Sequence, residues 1–207
     1  EPNGDERIQV IPENSNLEFN GVSFQYDGPR SAKVLDGINL LIPSGKVTAI
    51  VGNSGSGKTT MLKMLLGFYA PVKGTILLGG IPLEKYSEKQ WRSLCGTVMQ
   101  DGYIFADTIA ANIAISDDEP DMRRLRMATD LSNISEWIDT LPLGYSTKIG
   151  ADGHGLSSGQ RQRILIARAV YKNAKFLFFD EATNSLDANN EKAIMENLDR
   201  LFVGRTV

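Results

Sequence analysis

The chain has 207 residues, 42% hydrophobic and 23% charged, with a formal net charge of −3, the balance of one large globular domain that can bury a core unaided by disulfides or metals. It carries no dense Lys/Arg run, which argues against nucleic acid as a partner, because a nucleic-acid groove needs clustered positive charge. One cysteine, Cys95, and one histidine, His154, leave no disulfide framework and no zinc set.

The apolar runs are short, and a membrane helix needs about 20 apolar residues in a row. Any membrane role is therefore expected from a partner or from another part of the same polypeptide, with the chain itself soluble. Residues 1–16 are polar and rich in proline and asparagine, which reads as a linker arriving from an upstream domain. Leu17–Tyr26 and Val34–Ile42 are strand-like, the second closed by Pro43-Ser44-Gly45. Val47–Val51 is apolar and β-branched with no polar alternation, which predicts a strand covered on both faces, as in a parallel sheet. Lys58–Gly67 has the spacing of a helix, with Gly67 as its stop. Short strands are predicted at Thr75–Leu78 and Thr97–Met99, a mostly helical stretch from about Asp107 to Tyr171, an apolar strand at Phe176–Phe179 and an amphipathic helix at Ala188–Phe202. Strand, glycine-rich loop and helix at one end, with an apolar strand ending in acids at the other, predict an α/β sheet that binds a nucleotide at its strand ends. Cys95 reads as a buried small hydrophobe and His154 as a solvent-facing loop residue.

Gly52-Asn53-Ser54-Gly55-Ser56-Gly57-Lys58-Thr59 fits G-x-x-x-x-G-K-[ST], the Walker A loop, at every fixed position. The glycines let backbone N–H groups turn inward onto phosphate oxygens, and the helix that follows adds the N–H groups of its positive end. In this reading Lys58 reaches the β- and γ-phosphates, Thr59 binds Mg²⁺ and Thr60 completes the cradle. Phe176–Phe179 runs into Asp180-Glu181, the Walker B form. Asp180 is expected to hold Mg²⁺, and Glu181 to polarise the attacking water as general base.

Leu156-Ser157-Ser158-Gly159-Gln160 resembles the ABC signature, normally L-S-G-G-Q, and the resemblance to ABC ATPases covers nearly the whole chain. It implies a P-loop NTPase core with a parallel sheet, an N-terminal antiparallel β-subdomain and an inserted α-helical signature subdomain, about 101–171, within a domain spanning 17–207. Tyr26 resembles the aromatic that stacks on adenine, which is tolerant of base identity. Gln100 resembles the Q-loop glutamine, a catalytic and metal-binding position, and Ser185-Leu186-Asp187 the D-loop. Thr147–Gly153 is similar to the loop that precedes the signature in ABC exporters. Ser157 or Ser158 is the natural N-cap of the helix that follows. In the family the signature faces a nucleotide bound to a second copy, so a head-to-tail dimer around two Mg·ATP is implied.

Two departures stand out. Ser158 occupies a position where glycine is usual, which would cost roughly 1 kcal/mol if that position required positive φ. The family's switch histidine lies beyond the D-loop, and His154 precedes the signature, so the chain reads as truncated at its C-terminus, slow by itself and monomeric. The wording around Pro142 and Asp180 is most similar to bacterial exporters for peptides, bacteriocins or lipids. That implies transmembrane spans upstream on the same polypeptide, a place at the cytoplasmic face of the inner membrane and, in some relatives, an N-terminal peptidase domain. The alternatives are a non-transport ABC ATPase acting on DNA or ribosomes, for which no basic surface is visible, and a regulatory ATP-binding module, against which Glu181 argues.

Overall fold

The computed structural model describes residues 7–12, 15–28, 31–115, 117–151, 153–181 and 188–207, with the side chains of 188–193 left aside. The chain divides into two compact units, Glu1–Cys95 with Gly204–Val207, and Gly96–Val203.

The first unit is built on strands β1 (Leu17–Phe24) and β2 (Leu35–Ile42). The Walker A helix α1 (Lys58–Leu65) follows, then strands β3 (Lys73–Leu78) and β4 (Ile81–Pro82) and helix α2 (Glu88–Leu94). The strands form one antiparallel sheet in the order β2-β1-β3-β4, which is the antiparallel β-subdomain expected. Leu17 and Phe19 face the core, then Val22 and Phe24 do so, a change of phase by one residue. A register shift after Phe19 and the left-handed Gly21 (φ 60) supply that extra residue, because a bulge moves every later side chain to the opposite face. Buried polar tips are satisfied: Trp91 Nε1 donates to Leu65 O at 2.7 Å and Tyr86 Oη to Leu78 O at 3.1 Å. Helix α1 ends in paired bonds from Gly67 N to Met64 O and Phe68 N to Lys63 O, with Gly67 at φ 74, so the stop expected at Gly67 is a Schellman cap. Part of the expected linker lies on this unit, where Ile8 forms a parallel bridge to Tyr86.

The Val47–Val51 expectation is corrected. These residues form no named strand, and Val47 and Val51 are 60% and 88% exposed. Within its own unit the run finds one rung, Thr48 N to Val207 O and Val207 N to Lys46 O. An apolar composition favours a covered strand only where neighbouring strands extend the ladder on both sides.

The second unit opens with β5 (Cys95–Val98), β6 (Asp107–Thr108) and helices α3 (Ile109–Ile113), α4 (Met122–Leu131) and α5 (Ser135–Asp139). It continues through β7 (Lys148–Ile149), α6 (Ser158–Tyr171), β8 (Phe176–Phe179) and α7 (Ala188–Phe202). Strands β5 and β8 pair in parallel, so the chain passes through the helical layer between them. Helix α6 is the centre of that layer, with Ile164, Leu165, Ile166, Ala167, Ala169 and Val170 buried, and it packs against α3 and α4. In α7, Ile194, Leu198 and Leu201 are buried at helical spacing. Among the described residues, no helix is long and apolar enough to cross a membrane.

Candidate functional site

The phosphate loop is carried by the first unit. Ser56 N donates to Asn53 O at 3.2 Å, closing a turn, and Gly57 enters α1 with φ 93. A Cβ on Gly57 would meet Leu35 Cδ2 at 2.7 Å and Val34 O at 3.2 Å, so any other residue there faces both strain and collision. No side chain caps α1, which leaves its N-terminus as a donor surface suited to phosphate. Lys58 Nζ folds back over the loop and donates to Gly52 O at 2.9 Å and Asn53 O at 3.0 Å. Gly52, Asn53, Ser54, Gly55 and Ser56 are exposed, while Lys58 and Thr59 are half-buried and Thr60 is buried.

Tyr26 stands beside this helix. Its hydroxyl shares a 2.7 Å hydrogen bond with Thr60 Oγ1, and its ring meets Phe24 and Tyr69 edge-on at centroid distances of 5.0 and 5.4 Å. The ring is 48% exposed, a platform for a planar base. Tyr69 and the Thr60 hydroxyl were not foreseen as supports of Tyr26. Tyr26 and Thr60 are 34 residues apart, and no local pattern pairs them. Stacking is blind to base identity, so Tyr26→Ala is expected to weaken ATP and GTP equally, by about tenfold. Tyr26→Phe, which loses only the bond to Thr60, is expected to weaken both by about threefold. Calorimetric titration checks this, and a loss confined to ATP would refute the stacking role.

The remaining candidates lie on the second unit. Asp180 is buried at the end of β8, its N–H donating to Val98 O at 2.9 Å. Glu181 follows, exposed, with φ 50, a left-handed conformation unusual for a residue that is not glycine. Gln100 is exposed in a turn closed by Gly102 N to Met99 O at 3.1 Å. The signature heads α6, where Ser157 is the N-cap: its Oγ accepts from Gln160 N at 3.2 Å, while Gln160 Oε1 accepts from Ser157 N at 2.9 Å. This is a complete capping box. Ser158 opens the helix and is not among the residues with positive φ, so serine in place of the usual glycine carries no backbone penalty. Gly159 is half-buried in the first turn. Asp187, with Ser185 and Leu186, lies outside the described residues.

The single histidine, His154, is exposed, with its ring 6.1 Å from that of Trp137. Cys95 is buried, and its thiol donates to Trp91 O at 3.2 Å. Among the described residues no group of three or more His, Cys, Asp or Glu is placed to hold a metal.

An α/β fold with a glycine-rich loop opening an uncapped helix defines a P-loop nucleotide-binding domain. The family described as ABC transporter matches residues 35–184, and the chain belongs to that family, as its ATP-binding domain. It is 43% identical over 190 residues to the ATP-dependent lipid A-core flippase of Burkholderia orbicola, covering 92% of this chain and 32% of that protein. It is 44% identical over 194 residues to ATP-binding cassette sub-family B member 10, mitochondrial, of Mus musculus, covering 92% and 27%. To ABC transporter B family member 21 of Arabidopsis thaliana it is 41% identical over 190 residues, covering 92% and 15%. Among solved structures, a bacterial Atm1-family ABC exporter with ATP bound superposes with a TM-score of 0.91 at 34% identity, over 98% of this chain and 35% of that one. The chain thus spans between 15% and 35% of the length of these relatives.

Proposed function

We propose that the chain is the ATP-hydrolysing engine of an ABC exporter, and that it works as a head-to-tail pair at the cytoplasmic face of a membrane. The observation that carries this is the uncapped α1 N-terminus under a loop gripped by Lys58, a cradle with donors and positive charge and no acid in its first turn. On binding, Lys58 exchanges two carbonyls for phosphate oxygens, while Gly52–Gly57 supply backbone donors and Thr60 keeps Tyr26 against the base. Glu181 accepts a proton from the attacking water, and Gln100 orients that water. The residues that would hold Mg²⁺ are Thr59, Gln100 and Asp180. All three offer oxygen donors only, which fits a hard cation that takes its other ligands from phosphate and water. When bound, the ion supplies charge neutralisation to the phosphates. The signature residues Ser157, Ser158, Gly159 and Gln160, with Asp187, serve the nucleotide of the partner copy. Closure of the pair drives a transmembrane domain, which we place upstream of residues 1–16 on the same polypeptide. Peptides, bacteriocins and lipids fit as cargo, and the flippase among the relatives supports lipid.

The test is phosphate release from Mg·ATP against protein concentration. Specific activity is expected to climb with concentration, because each site needs a signature from a second copy. Ser157→Ala, which removes one donor to a charged group, is expected to lower turnover about tenfold or more while leaving ATP affinity of the dilute protein within about twofold. Fast turnover that is independent of both concentration and Ser157 overturns the shared site.

A further inference from the structure

We propose that Arg161 is a positioning residue for Gln100, gripping the glutamine-bearing turn through the Gly102 carbonyl so that the glutamine travels with the signature helix. The proposal rests on the reading above that Gln100 serves hydrolysis.

Gln100 occupies the second position of the turn Met99–Gly102, closed by Gly102 N to Met99 O. Before the turn, Val98 O accepts from Asp180 N at 2.9 Å, which fixes that flank to the acidic strand end. After the turn, Gly102 O accepts from both Arg161 Nη2 at 2.9 Å and Arg161 Nε at 3.3 Å. One guanidinium edge thus fills both lone pairs of a single carbonyl, a grip that a point-charge ammonium cannot reproduce.

Arg161, Leu165 and Arg168 share one face of α6 at i, i+4 and i+7; the first two hold Gly102, and the third holds α3 at Asn112. A Cβ on Gly102 would lie 2.5 Å from Leu165 Cδ1 and 3.0 Å from Leu165 Cδ2, so the backbone rests directly on that side chain. Arg168 Nε donates to Asn112 O at 2.8 Å, and its guanidinium lies 5.7 Å from the Phe105 ring. The fully buried Asn112 in turn accepts from Phe105 N at 2.8 Å and donates to Phe105 O at 3.0 Å. The Gln100 side chain is exposed, while its backbone is fixed on both flanks. A displacement of the α6 N-terminus therefore reaches Gln100 through a contact two residues away. Arg161 is itself exposed, immediately after the signature glutamine, a place where a bond serving stability alone would gain little.

The test is steady-state hydrolysis by the full protein, with ATP affinity measured separately. Arg161→Met keeps the stem and loses the grip; kcat is expected to fall about tenfold, with the ATP Kd within about twofold. Arg161→Lys retains one charged donor and is expected to recover to within about threefold of the parent. In a Gln100→Ala background Arg161→Met is expected to add nothing further, because residues acting through one another are not additive. Gly102→Ala is expected to slow turnover by lifting the segment off α6, and adding Leu165→Val, which makes room for the new methyl, is expected to restore it. This pair decides the matter even if Arg161→Met folds poorly. Equal effects of Arg161→Met with and without Gln100 would overturn the proposal, as would a Gly102→Ala loss that Leu165→Val does not relieve. If Gln100→Ala slows hydrolysis and Arg161→Met does not, the grip alone is wrong. If Gln100→Ala leaves hydrolysis untouched, the reading of Gln100 is wrong and the grip falls with it.

Discussion

Glu181→Gln is expected to slow ATP hydrolysis by about 10²–10⁴-fold, the contribution of a positioned general base, with ATP affinity held within about twofold. The substitution is a controlled one. Glutamine has the size of glutamate and meets the same left-handed backbone at φ 50, so shape and backbone conformation are kept while the negative charge and the ability to take a proton are lost. The backbone conformation supplies a second readout of opposite sign. A non-glycine residue held at positive φ costs about 1 kcal/mol, so Glu181→Gly is expected to raise stability by roughly that amount while removing hydrolysis as completely as glutamine does. Single-turnover phosphate release and urea unfolding of both variants check the pair of effects. Normal turnover by Glu181→Gln would exclude the carboxylate from the mechanism.

Lys58→Ala is expected to weaken ATP binding by about 10²-fold, the worth of a charged hydrogen bond to a phosphate. Two effects act together. Lys58 spans Gly52 O and Asn53 O at 2.9 and 3.0 Å, so its removal also loosens the cradle that the phosphates must enter. Against this, the lysine must leave those carbonyls when nucleotide binds. The attraction of an ammonium to a phosphate exceeds that to a neutral carbonyl, so the net effect is a loss. Lys58→Arg separates the two effects, because it keeps the charge but presents a wide planar fork in a loop shaped around a compact head. Its affinity is expected to fall between parent and alanine. Calorimetry with Mg·ATP decides the order, and unchanged binding in Lys58→Ala would remove the loop from the site.

The chemistry-bearing segments were legible in the sequence because each is contiguous and each obeys a local rule. The Walker A loop is eight consecutive residues, the capping box of Ser157 and Gln160 spans four residues, and the Schellman stop at Gly67 is set by one glycine. Such features are fixed by hydrogen-bonded rings a few atoms long, so residue type and spacing alone determine them. The strand β8 and the helices α6 and α7 were likewise foreseeable from period and apolar runs, while the antiparallel sheet was implied by the family resemblance.

The alternatives that those rules left open were settled by the folded chain. Ser157, and not Ser158, caps α6, and Ser158 needs no positive φ. Val47–Val51 has the composition of a covered strand yet, among the described residues of its own unit, forms one rung, because a ladder depends on what lies beside it and composition does not record that. The bond of Tyr26 to Thr60 joins residues 34 positions apart, and that of Arg161 to Gly102 joins residues 59 apart. Sequence by itself determined which residues can bind phosphate, a base or a proton. Tertiary structure alone decided which side chains hold them in place, because contacts across such separations follow from register and packing between elements, which no local period encodes.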